Sequence, residues 1–482
     1  MAMGITSWGA YIPRLRLDRK TVVEANRWAN TSLAARASGT RSFCNWDEDC
    51  VTMGVEAARV ALGRSPAITE RIIFATNTAP FADRPASVIA AQALQLPASV
   101  LSIDQGHTQR AGTTALIDAL ATAKSTLLIA TDTRHGGPGT VQELAFGDAA
   151  AALGIGGDKV VARCLGSVSR TEDFVDHFRA TGEMTELHWE ERWVRDAGIG
   201  KQVPAAIKAL LQETDVDAAA INHFIFPTTF ARLADQIAKQ SGIAATAVRD
   251  DLSASVGESG CAHALLMLAA TLDVAKPCEK ILVVNFGNGC DALLLEVTPH
   301  ITALQGRATV AELVANSALE THYPKFLSFN GELKIDFGLR FEAEVRTQLT
   351  GQYRRGREFA GFMAGQCIKC GAVQFPRAEV CVNADCEQVG EQPLVSLLGV
   401  PATIVSYTSD WLSFKGAPPF SYGLVQFDNG ARVLMEYADF TPEQLRVGAS
   451  VRSVYRKKEI DTLRHYHSYF WKAAPDQLKG AK

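Results

Sequence analysis

The stretch TTALIDALATAKSTLLIATDT (Thr113–Thr133), followed by GDAAAALGIG (Gly147–Gly156), has a counterpart about 150 residues further on. There AHALLMLAATLDVAKPCEKILVVNFG (Ala262–Gly287) runs into GNGCDALLLEV (Gly287–Val297). Both read as a helix, a strand, a glycine-led turn and a strand of small residues. The flanking portions match too. A helix precedes the strand RIIFAT (Arg71–Thr76), and the helix Ala205–Glu213 precedes INHFIF (Ile221–Phe226). The first copy also holds helical spacing at Val51–Leu62 and Ala86–Leu94, and a strand VLSID (Val100–Asp104). Strands alternating with helices build βα units and a largely parallel sheet. One layered unit made twice predicts a duplicated α/β fold.

Near residue 340 the texture changes. Val345–Arg357 is polar and basic, as a linker or docking helix would be. Next come Cys367-x2-Cys370-x10-Cys381-x4-Cys386. Two short-spaced cysteine pairs can set four thiolates around one tetrahedral ion, which predicts a structural zinc with no open ligand position. Gly371, just past the first pair, suits the tight turn of a zinc knuckle. From Thr403 the chain reads as short strands with turn signals, Asp428–Gly430 marking a hairpin between alternating apolar runs. This end is expected to be a small all-β domain.

Composition narrows the function classes. The net charge of −4 gives no basic field for nucleic acid or anionic membrane. No apolar run reaches the roughly 18–20 residues of a membrane helix. The N-terminal MAMGITSWGAYIPRLRL reads as a first strand and lacks the apolar core of a signal peptide, so the expected location is the cytoplasm. In that compartment the scattered Cys44, Cys50, Cys164, Cys261, Cys278 and Cys290 are expected to be reduced and mostly buried.

The segments GITSWGAYIPRLRLDR, NWDEDCVTMGVEAARVAL, RAGTTAL, FGDAAAALGIG and VGESGCAHALL resemble hydroxymethylglutaryl-CoA synthase and the wider thiolase superfamily. The cysteine cluster with GAVQFPRAEVC, the PPFSYGLVQFDNG hairpin and YFWKA resemble the rubredoxin-like zinc-ribbon plus OB-fold module that accompanies thiolase-like acyl-CoA enzymes, over Tyr353–Ala474. The resemblance implies a duplicated five-layered thiolase-like fold followed by a zinc ribbon and a small OB-fold. The implied divisions are 1–165 and 166–340 for the two halves, 341–358 for the linker, 359–395 for the ribbon and 396–482 for the OB-fold. It also implies a homodimer paired through VLSID. The partners it implies are an acyl-CoA substrate, with coenzyme A as part of it, and neither nucleic acid nor membrane. Acidic residues (Asp428, Glu436, Asp439) among the OB-fold aromatics likewise oppose nucleic acid.

The departures from the synthase pattern carry the mechanism. In Gln109-Arg110-Ala111-Gly112-Thr113, Gln109 stands where the resemblance expects the nucleophilic cysteine. The synthase histidine falls on Pro227, its glutamate on Asn77 and its loop asparagine on Glu258. Glutamine cannot be acylated as a thiolate can, but it can donate to a thioester carbonyl. The resemblance then implies a cysteine-independent reaction at an acyl-CoA carbon–carbon bond: aldol or retro-aldol, Claisen-type cleavage, or decarboxylation. Either a lyase or a transferase would fit. The alternative is a non-catalytic scaffold or channelling subunit that binds acyl-CoA or a thiolase. Glu258 is the expected base with His263 as its partner, the two flanking a helix N-terminus. Helix capping by Glu258 and core packing of His263 is the competing reading. Asn77, Arg354, Arg355 and Arg357 are the expected substrate-binding residues, the arginines through CoA phosphates. His107, Cys261 and Cys290 are weaker pocket candidates.

Overall fold

The computed structural model describes residues 3–64, 69–306, 308–336, 338, 349–413 and 416–476. It divides into two compact units. Met1–Asn45, Asp49–Val88 and Ala98–Leu333 form the first; Trp46–Glu48, Ile89–Pro97 and Lys334–Lys482 form the second.

The first unit is built on nine strands: β1 (Gly4–Tyr11), β2 (Arg71–Ala75), β3 (Leu101–Gln105), β4 (Thr126–Thr133), β5 (Asp148–Gly156), β6 (Ala162–Thr171), β7 (His223–Ile225), β8 (Lys280–Phe286) and β9 (Gly289–Val297). Their order is β7-β8-β9-β6-β1-β5-β4-β2-β3. One half reads β1-β5-β4-β2-β3 and the other β6-β9-β8-β7, so the sequence repeat becomes a repeated topology. In the second half the place of β3 is taken by a single parallel bridge, Phe224 to Val248. The halves join where Gly4 and Ile5 pair with Arg163 and Ala162.

Four helices fill the layers: α1 (Cys50–Arg64), α2 (Ala111–Ala121), α3 (Gly200–Thr214) and α4 (His263–Leu272). α4 is buried along nearly its whole length. A helix that is apolar all round belongs inside a core. α2 and α4 accordingly share one core cluster with Ile73 and Leu128 of the first half and Ile281, Val283, Leu293 and Leu295 of the second. The alternate residues Leu282, Val284, Ala292 and Leu294 face the other way and pack with Val203, Ile207 and Leu210 of α3. Side chains alternate across a strand, so a sheet sandwiched between helices is apolar on both faces. The result is the expected thiolase-like α/β arrangement. No helix among the described residues is long and apolar enough to cross a membrane.

In the second unit, Met363–Gln366 pairs with Val373–Gln374 and with Leu394–Ser396 to frame the four cysteines. A six-stranded sheet follows, with Phe420–Phe427 and Arg432–Glu436 forming the expected hairpin. Of the expected linker Val345–Arg357, residues 345–348 lie outside the described residues. The remainder belongs to a helix, Leu349–Ala360, broken at Arg355.

Candidate active site

Gln109 stands one residue before the N-cap of α2. Its backbone is held from several sides. Asn285 Nδ2 of β8 donates to the Gln109 carbonyl at 3.1 Å. Arg110 pairs with buried Asp291 of β9 at 2.8 Å, and the Thr113 and Thr114 hydroxyls donate to the same carboxylate. Residues of the second half therefore fix the start of a first-half helix. Gly112 makes the approach possible: a Cβ there would lie 2.3 Å from the Cys261 carbonyl oxygen.

Gln109 is 8% exposed and lines a cavity of about 110 Å³ with Glu258, Pro227, Arg134 and His177. Three of the four positions that depart from the synthase pattern thus line one pocket. Phe146, Val194, Ile199, Phe230 and Phe286 supply apolar walls.

The pocket's charges centre on Arg134, just past β4. Its guanidinium binds Glu186 through two nitrogens, Nε at 3.0 Å, and also contacts Glu258. It lies over the Phe146 ring, 3.6 Å from the centroid. Burial works to raise the Glu186 carboxyl, but Arg134, His188 and His177 outweigh it and hold the group well below the usual carboxylate range. His177 and His188 stack 5.7 Å apart on the two short strands His177–Phe178 and Leu187–His188. His177 Nδ1 lies 3.1 Å from Asp176 Oδ2, and its Nε2 lies 3.0 Å from Gln109 Nε2.

The expected pairing of Glu258 with His263 does not form. Glu258 meets Arg134 and accepts from the Gly260 N–H at 3.0 Å. His263 is buried, its Nδ1 accepting from the Ser259 N–H at 3.1 Å and its Nε2 donating to the Asp251 carbonyl at 2.7 Å. Burial lowers its pKa although Asp251 opposes the shift, so the neutral ring braces the loop before α4.

Asn77 lies outside the pocket lining. Its side chain exchanges two hydrogen bonds of 3.1 Å with the Thr108 backbone and donates to Asp132. It positions the residue before Gln109. Arg354, Arg355 and Arg357 are exposed on the Leu349–Ala360 helix of the second unit, outside the pocket lining, with Arg355 donating to the Arg377 carbonyl and Arg357 to that of Leu96. His107 is exposed at φ 69° and also lies outside the lining.

The cysteine candidates fare no better as nucleophiles. Cys261 is fully buried and donates to the Ala75 carbonyl at 3.3 Å; burial and Asp132 push its thiol far up. Burial and Asp291 push Cys290 up in the same way. Neither lines the pocket. Sequence reasoning missed Arg134, Asp176, His177, Glu186 and His188. For the last four the only signal was an acidic, histidine-bearing stretch, DFVDHF to ELHWE, lacking helical or strand periodicity.

In the second unit, the Sγ atoms of Cys367, Cys370, Cys381 and Cys386 lie within 4.8 Å of one another. Two of the separations are 3.7 Å (Cys367 to Cys386) and 3.6 Å (Cys370 to Cys381). Zinc–sulfur bonds of about 2.3 Å at tetrahedral angles need sulfurs about 3.8 Å apart. The cluster fits that ion. Gly371 adopts φ +77°, as the turn between ligands requires.

Comparison with known proteins bears on both units. The family model for the C-terminal OB-fold domain of ChsH2 matches residues 397–456. The crystal structure of an HMG-CoA synthase complexed with CoA has a TM-score of 0.57 at 15% identity, over 72% of this chain and 95% of that one. The FabH 3-oxoacyl-(acyl carrier protein) synthase III of Pseudomonas aeruginosa has a TM-score of 0.55 at 19% identity, over 62% and 99%. These likenesses establish the fold. In sequence, the hydroxymethylglutaryl-CoA synthase of Aeropyrum pernix is 29% identical over 344 residues, 69% of this chain and 95% of that protein. That of Caldivirga maquilingensis is 30% identical over 353 residues, 70% of this chain and 100% of that protein. The chain belongs to the hydroxymethylglutaryl-CoA synthase family.

Proposed function

We propose that the protein acts on a carbon–carbon bond of an acyl-CoA without forming a covalent acyl-enzyme. The observation that carries this reading is Gln109. It occupies the pocket where the resemblance expects a nucleophile, and no cysteine lines that pocket among the described residues. The side chain lies at the N-terminal end of α2, where the helix dipole favours negative charge. A thioester carbonyl placed there becomes an enolate oxygen with donors around it. Glu258, charge-matched by Arg134, gives the pocket an ordered polar wall. The relative complexed with CoA supports a CoA thioester as ligand. Incubation with a panel of acyl-CoAs and 3-hydroxyacyl-CoAs, followed by mass spectrometry, tests the reading. Cleavage, condensation or decarboxylation supports it. Binding without turnover of any member rejects it in favour of a scaffold.

The second unit is proposed to hold one structural zinc at Cys367, Cys370, Cys381 and Cys386. Four protein ligands leave no position for substrate, so the ion stabilises the fold and takes no part in chemistry. Metal analysis is expected to find one equivalent per chain. Cys370→Ser is expected to lower the metal content and the solubility together. Well under one equivalent, with four freely alkylated thiols, rejects the assignment.

Homodimerisation is proposed through β3. This strand ends the nine-stranded sheet, pairs only with β2 among the described residues, and leaves Leu101 48% exposed. An open apolar edge is an aggregation hazard unless it is covered. Sedimentation at micromolar concentration is expected to give a dimer; a stable monomer contradicts the assignment.

A further inference from the structure

We propose that His177, oriented by Asp176, is the proton-transferring group of this pocket and that it serves a 3-hydroxyacyl-CoA. The inference rests on the acyl-CoA reading above and assigns the acid–base group which that reading leaves open. The imidazole stands on the segment between β6 and α3, so it reaches the pocket from a different element than the strand end occupied by Pro227.

Three observations carry it. First, the Gln109 amide nitrogen, 3.0 Å away, has only hydrogens to offer, so His177 Nε2 presents its lone pair. The ring proton then sits on Nδ1, facing Asp176 Oδ2 at 3.1 Å. A carboxylate behind one ring nitrogen sets the tautomer and stabilises the imidazolium that forms when the other takes a proton. Second, three other acid–base candidates are already engaged: Glu258 by Arg134 and Gly260, Glu186 by Arg134, and His263 by Ser259 and Asp251; His188, the second histidine of the lining, turns its Nε2 toward Glu186 at 3.7 Å. Third, Gln109 Oε1 is buried with no hydrogen-bond donor among the described residues. A buried acceptor left unpaired is costly. A substrate hydroxyl entering here is accepted by Gln109 Oε1 and takes the place of the Gln109 amide N–H at the single lone pair of His177 Nε2.

The step balances without a further reactant. His177 Nε2 takes the proton of the C3 hydroxyl. The C2–C3 bond breaks, C3 becomes a carbonyl, and the electron pair passes to C2 and the thioester as an enolate. The imidazolium returns the proton to C2. The products are an aldehyde or ketone and a shortened acyl-CoA; the reverse sequence is an aldol addition.

A reporter thiol tests the assignment without any acyl-CoA. In Gln109→Cys, iodoacetamide alkylation of residue 109 is followed across pH by peptide mass spectrometry. The charged or titratable groups around that thiol are Asp176, His177, Glu186, His188 and Glu191 from the segment, Arg134 from the end of β4, Glu258 from the loop before α4, and Arg36. The thiol is expected to titrate well below the free-cysteine value of about 8.5. Adding His177→Gln is expected to slow its alkylation near pH 6.5 by about tenfold or more, and Asp176→Asn to shift it the same way. His177→Asn replaces the Gln variant if the latter does not fold by near-ultraviolet circular dichroism. A profile unchanged by loss of His177 overturns the proposal, because the α2 N-terminus alone then explains it. With an acyl-CoA that turns over, His177→Gln is expected to lower kcat by about 10²–10⁴-fold with KM little changed. A retained kcat also overturns it. The thiol profile and the acyl-CoA panel fail independently, so loss of one reading is distinguishable from loss of the other.

Discussion

Arg134→Met is expected to destabilise the first unit by about 3–5 kcal/mol, because it strips the cation from a buried charge cluster while keeping most of the side-chain volume. Arg134 joins Glu186 and Glu258 and lies over Phe146. Without it two acidic side chains face each other across a desolvated pocket wall. The pH dependence gives a second signature. In the unmodified protein the Glu186 carboxyl is held below its unfolded value of about 4.3. Its contribution to stability is therefore complete above the unfolded value and is lost as the pH falls toward the folded one. In Arg134→Met, burial is opposed only by the two histidines, so the carboxyl rises and protonation relieves the strain. The stability gap between the two proteins is expected to be widest near neutrality and to narrow as the pH falls through the carboxylate range. Urea unfolding at several pH values reads this. A loss under 1 kcal/mol, or a gap that widens toward acid, contradicts the cluster as described. Glu258→Gln is the milder companion: Arg134 keeps Glu186, and the Gly260 N–H can still find the amide oxygen.

Gln109→Cys is the second large effect. A thiol at the N-terminus of α2 has a lowered pKa and attacks thioesters. The variant is expected to accumulate a stable acyl-enzyme with acetyl-CoA, visible in intact-protein mass spectra as one added acetyl group. Native turnover is expected to fall about 10²–10³-fold, the loss seen when an oxyanion donor is removed. Gln109→Ala is expected to lose a similar factor without forming an adduct. A covalent adduct on Cys261 or Cys290 of the unmodified protein during turnover contradicts the non-covalent reading. So does a Gln109→Cys protein that turns over faster than its parent.

The repeat, the central helices and the cysteine cluster were legible because their signals are local. An apolar helix such as His263–Leu272, a strand such as Lys280–Phe286 and a pair of cysteines three residues apart each carry their pattern within a few residues. The position of Gln109 was legible because Gly112 and Thr113 lie beside it in the chain. Tertiary structure alone decided which groups meet. Glu258 and His263 are five residues apart in sequence, yet the loop before α4 turns one toward Arg134 and the other toward Asp251. Asn77, expected at substrate, is spent on Thr108 and Asp132, because the backbone on either side of the pocket must be tied down first. His177 and Asp176 lie in a stretch without periodicity, so nothing local marks them. They face Gln109 only because the segment after β6 folds back over the start of α2. Hydrophobic patterning is written along the chain at the period of its own backbone. The pairing of charges across a pocket depends on distances that exist only once the layers have closed.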